Sequence, residues 1–268
     1  MFNLLRMDLY RIKRSKSLYI CLGFLLFATL CIFSLLWLLT TPEGQTIALQ
    51  IGMLIAGDVE DASNILNGID ILILFRQIGL DGGLYSVILG IWVMLFICSD
   101  YQNGFIKNIM AIYSNRWLYL ASKLLAVGIV NLCYLVIQFG FTLLINYLFK
   151  NIVPYTKIKD VLFYLTWAWL LTMAFSALII LICIYTRSIA AGSFGAILLG
   201  SGLIVVPLYQ IMHLLHLGEW LKYSIYFSLS YGPNQYTSLQ DLQVFIIGIV
   251  FLVLYSITAG ILLKKQDI

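Results

Sequence analysis

The amino-acid sequence predicts an all-α, polytopic membrane protein, and three observations carry that prediction. First, 62% of the residues are hydrophobic and only 10% charged, against roughly 45–50% and about a quarter in soluble domains. Second, six apolar segments are long enough, or nearly so, to cross a bilayer as helices. Third, the basic residues gather on one side of the topology those segments define. A soluble fold of 268 residues could not hide so much apolar surface, so lipid must cover part of it. The length suits one membrane domain, residues 1–268, without an additional soluble enzyme domain.

Taken in order, residues 1–17 form an interfacial helix. Phe2, Leu5, Leu9 and Ile12 recur at steps of three, four and three and make one apolar stripe at helical period. Arg11 and Arg14 lie opposite that stripe, and the chain turns into the membrane near Ser15. The alternative is a positive flank that only sets orientation. The first span, Leu18–Leu39, is 22 residues, about 33 Å as a helix, and is too long for the hydrophobic region of a cleaved signal. The others are Gly82–Ser99, whose outer boundary could reach Ile71, then Leu124–Leu148, Val161–Tyr185, Ile189–Tyr209 and Val244–Leu263.

With the N-terminus inside, the cytoplasmic side receives eleven of the sixteen basic residues, and the outer side receives nine of the twelve acids. An even number of spans puts Lys264 and Lys265 on the same side as the basic N-terminus. Trp37, Trp117, Trp167, Trp169 and Trp220 fall near water boundaries, where an indole is at home, and Trp92 is expected inside. Residues 40–81 make an acidic outer loop. Its Gly57–Asp61 stretch lacks the alternating ligand spacing of a calcium loop. Residues 210–242, apolar but broken by His213, His216, Glu219, Lys222, Gly232 and Pro233, fit short helices partly embedded in the outer leaflet.

Metal chemistry has little to stand on. The five cysteines (Cys21, Cys31, Cys98, Cys133, Cys183) lie in apolar runs without a C-x-x-C pair, and His213 with His216 makes no zinc motif. Two helix faces carry more information. Asn131, Gln138, Thr142 and Asn146 fall within about 80° of one another on the third span. Amides at membrane depth need partners, so this stripe is either hydrogen-bond glue to a neighbouring helix or the lining of a substrate path. Gly192, Ala196 and Gly200 make a small-residue face on the fifth span, for close packing within the chain or across a dimer.

The inner loop after the second span, residues 100–116, opens with Asp100 and breaks at Gly104. It then runs through a short helical stretch with Lys107 and Asn108 to Asn115–Arg116. Its pattern is acidic, aromatic, x-x-Gly, x-x-Lys-Asn, a later Arg, then Lys-Leu opening the next helix. The residues are Asp100, Tyr101, Gly104, Lys107, Asn108, Arg116, Lys123 and Leu124. This order resembles type-2 ABC transporter permeases, as do the N-terminal LLRMDLYRIKRSKSLYI and the six-span layout. Small permeases of this appearance include those of bacteriocin or lantibiotic immunity and peptide export. The resemblance implies a bacterial cell-membrane subunit that pairs with a second permease, identical or paralogous, and with two cytoplasmic ATPases. ATP and magnesium would reside in those partners, and the sequence has no G-x-x-x-x-G-K-S/T phosphate loop of its own. Asp100, Tyr101, Gly104, Lys107, Asn108 and Arg116 would couple to the ATPase. The expected cargo is a membrane-active peptide, with a drug, a lipid-linked compound or sodium as alternatives. A membrane enzyme or scaffold without an ATPase is the competing class.

Overall fold

Chain breaks in this protein fall where the backbone leaves helical geometry. In the computed structural model, residues 2–50, 68–112, 115–215 and 218–266 are described. The Gly57–Asp61 stretch and His216 lie outside them, as does the side chain of Trp220. All regular structure among the described residues is helical, so the all-α class stands.

The first helix, α1 (Phe2–Arg14), ends at Ser15, and α2 (Lys16–Thr40) follows at once. A short α3 (Pro42–Gln50) folds back on α2. After the undescribed stretch, Asp70 accepts from the Ile73 N–H at 2.9 Å and caps α4 (Ile71–Arg76). The chain then widens into a π-turn, Gln77–Asp81. Gly83, at φ 71°, opens α5 (Leu84–Gln102). A side chain there would also strike the Gly200 carbonyl, so only glycine fits.

A loop helix, α6 (Phe105–Ile112), precedes α7 (Arg116–Leu148), which Asn115 caps through the Trp117 N–H at 3.0 Å. At 33 residues, α7 is about 50 Å long and exceeds the expected Leu124–Leu148 span by two turns at its start. Next is α8 (Ile158–Thr186), ended by Arg187 in left-handed geometry at φ 52°. The last helix is α12 (Gln243–Lys265).

The expected fifth span is not one rod. It divides into α9 (Ile189–Gly200) and α10 (Val205–Leu214), bent by 52°. Gly202, at φ 75°, sits in the break with the Tyr226 ring against its backbone, and Pro207 is tolerated in the first turn of α10. Residues 218–242 then hold a 3-10 turn (Gly218–Tyr223), α11 (Ile225–Tyr231) and a second 3-10 turn (Leu239–Leu242). Five helices (α2, α5, α7, α8 and α12) are long and apolar enough to cross a membrane, and six do if the bent α9–α10 pair counts as one. These lengths and compositions fit a multi-pass membrane protein.

Burial separates central from peripheral helices. α8 packs along α12, α5 and α9, and α5 packs along α9. Trp92, Tyr134, Tyr164 and Trp167 fill the centre. Trp167 thus differs from the interfacial placement its sequence position suggests. It is buried, and its indole donates to the Pro233 carbonyl at 3.1 Å, because the chain at 232–234 folds over that end of α8. α2 and α12 expose ladders such as Ile20–Phe24–Phe27 and Ile246–Ile249–Val253.

Candidate functional site

Contacts tie α1, the end of α5, the start of α7 and the ends of α8 and α12 into one end of the bundle. At its centre lies a buried ionic network. Lys123, with no exposed surface, sits two turns into α7 and places its ammonium 2.7 Å from both Asp8 Oδ1 and Asp100 Oδ2. The Arg11 guanidinium reaches Asp100 Oδ1 at 2.8 Å. Tyr119 donates to Asp100 Oδ2 at 2.9 Å, and Ser122 donates to Asp8 Oδ2 at 2.7 Å. Each carboxylate oxygen therefore has a donor, and two carboxylates face two cations. Such balance is what a charge needs away from water. Aromatic faces complete the cage, with Phe96 4.2 Å from the Lys123 ammonium and Phe105 4.1 Å from the Arg11 guanidinium.

This network changes the reading of α1. The helix buries Leu4, Asp8 and Ile12, a face rotated from the Phe2–Leu5–Leu9–Ile12 stripe, and Phe2 is exposed. Arg11 is not on a water face either, since it is drawn to Asp100. The physical reason is that an ion pair with a buried lysine outweighs a small gain in apolar periodicity. Sequence reasoning did not single out Asp8, Arg11, Tyr119 or Ser122 as site residues. The one available signal was an acid, Asp8, at the i+4 step between Leu4 and Ile12.

The loop helix hangs from this network. Asp100, at its root, is wholly buried and touches no outside surface. Tyr101 is half-buried, with Arg187 stacked 5.9 Å from its ring. Gly104 turns the chain at φ 65°. α6 buries Ile106 and Ile109 and turns Lys107 and Asn108 outward. Arg116 lies apart from that face. Its guanidinium donates to the carbonyls of Leu263 (2.6 Å), Lys264 and Gln266, closing the C-terminus of α12. Of the six residues, then, Lys107 and Asn108 present themselves outward, and Asp100 and Arg116 hold the surroundings in place.

The polar stripe of α7 is buried throughout. Asn131 accepts from the Tyr85 hydroxyl at 2.7 Å and donates to Thr172 at 2.8 Å, tying α7 to α5 and α8. Asn146 clamps the following loop, exchanging two bonds with the Val153 backbone at 2.9 and 3.1 Å. Thr142 donates back to the Gln138 carbonyl. Among the described residues, Gln138 alone of the four has a side chain with no bonded atom, and it faces Gly79 of the π-turn. The small-residue face of α9 meets α5 of the same chain: Gly192 against Met94, Ala196 against Gly90, Gly200 against Val87. That face is filled within the chain.

Fold and site together define a helical, multi-pass membrane protein whose loop helix is rooted in a buried ionic network. No protein-family model matches the chain, and no curated protein does.

Proposed function

We propose that this chain is the membrane subunit of an ATP-driven exporter, worked by a separate ATPase that grips α6. The observation that carries the reading is the construction of α6. One face is anchored by Ile106 and Ile109, the root is held at Asp100 by cations from α1 and α7, and Lys107 with Asn108 faces outward. A push on that face reaches α1, α5 and α7 together, because the network ties all three. The resemblance to type-2 ABC permeases supports the same role. In this reading the chain crosses the membrane six times, with α9–α10 as a broken span. α1 rests at the inner surface of a bacterial cell membrane, and the basic end with both termini is cytoplasmic.

The partners would be two ATPases carrying ATP and magnesium, and a second permease. The cargo would be an amphipathic antimicrobial peptide, exported in self-protection. An acidic outer face, holding nine of the twelve acids, attracts cationic peptides. Charge reversal tests the role. K107E with N108D is expected to abolish co-purification of an ATPase and stimulated ATP hydrolysis while insertion and thermal stability stay at wild-type values. Full hydrolysis and export in the double variant would overturn it and favour the ATPase-free class.

A further inference from the structure

The end of the bundle opposite the ionic network holds a second built feature. A cavity of about 530 Å³ opens between α10, the 218–223 turn, α11 and the start of α12, a size suited to small ligands of roughly 300–1,000 Å³. Its walls are aromatic: Tyr209, Tyr223, Phe227 and Tyr231 line it. Tyr209 and Phe227 have ring centroids 4.8 Å apart, and Phe227 stacks on Tyr231 at 5.8 Å.

Opposite charges line it, Lys222 from the first 3-10 turn and Asp241 from the second, just before α12. Asp241 is fixed in place, because its Oδ2 accepts from the Thr237 and Ser238 N–H groups, each at 2.7 Å, and from the Thr237 hydroxyl at 2.8 Å. Ser228, 5% exposed, is among the residues that line the cavity.

The cavity also has a way out along the helix. Gln243 and Ile247 line it, and the same face of α12 continues through Val250 and Leu254, all four within about 60° on a helix. Val250 is 53% and Leu254 47% exposed. A polar pocket thus runs into an apolar stripe on a helix able to cross the membrane.

We propose that this cavity binds one phospholipid with a zwitterionic, ammonium-bearing headgroup. The phosphate lies toward Lys222. The ammonium lies between Asp241 and the aromatic faces, where cation–π and ionic attraction add, and an acyl chain follows Ile247, Val250 and Leu254.

Native mass spectrometry of the delipidated full chain tests this with three probes: dioleoyl phosphatidylethanolamine, dioleoyl phosphatidylglycerol and tail-less glycerophosphoethanolamine. The wild type should keep one phosphatidylethanolamine at collision energies that strip the phosphatidylglycerol. D241N keeps an oxygen for its capping bonds and should lose about three- to fivefold of that headgroup preference. I247W should fill the cavity and abolish the retained lipid, with its melting temperature confirming the fold, and V250D should do the same from outside the cavity. Equal retention of both lipids in wild type and in D241N would overturn the assignment, as would glycerophosphoethanolamine binding as tightly as the lipid. Displacement of the lipid by a cationic amphipathic peptide with no headgroup preference would overturn it in favour of a peptide site.

Discussion

One helix, α7, buries polar groups in two ways. At Lys123 the charges are complete, with two carboxylates, two cations, a phenol and a serine all within bonding distance. At Gln138, four turns further on, an equally buried amide has no partner at either atom among the described residues and lies against a π-turn. A network with a donor at every carboxylate oxygen fixes the helices it joins, whereas a buried amide without a partner costs free energy and holds nothing. The end carrying α6 is therefore tied into one unit. The π-turn beside Gln138 is a local departure from α geometry of the kind found at working parts of helices.

Substitutions along α7 can break this contrast, and the largest effect belongs to Lys123. K123M leaves Asp8 and Asp100 to share Arg11, which is 3.9 Å from Asp8 and 2.8 Å from Asp100, as their cation, so a loss of about 3–5 kcal/mol is expected. It would be read as a large fall in the melting temperature of the detergent-solubilised protein. A loss under ~1 kcal/mol would mean that the carboxylates rehydrate and the network holds nothing. N131A comes next. It removes the side-chain bonds to Tyr85 and Thr172, leaving the Tyr85 hydroxyl with the Asn131 backbone carbonyl at 3.1 Å, and should cost about 1–3 kcal/mol in the same assay. R116M frees the last carbonyls of α12 at a half-exposed site. About 0.5–1.5 kcal/mol is expected, visible as faster amide exchange over 262–266. Q138M sharpens the comparison from the other side. Removing an unpaired amide at similar volume should leave stability unchanged or raise it slightly. A loss matching that of N131A would show that Gln138 has a partner after all.

Much of the architecture was legible in the composition. Residues that must avoid water come in helix-length runs, and the breaks at Ser15, Gly104 and Asn115 appear where backbone and capping chemistry require them. The bend at Gly202 was not legible, since hydropathy is continuous across it and the Tyr226 ring that pins it arrives from α11. The candidate site was legible by halves. Asp100 and Lys107 drew notice through their order along the loop, but nothing local shows that one points inward and the other outward.

Residue chemistry alone specified a chain of apolar helices, because lipid and water sort side chains whatever their neighbours. Which charges would meet was a matter for packing. Asp8 and Lys123 are 115 positions apart, and only the approach of α1 to α7 makes them a pair. The same holds for the cavity beneath Tyr209, whose walls come from four separate stretches of chain. Coulomb attraction and ligand shape act through distance in space, and that distance exists only once the helices have packed.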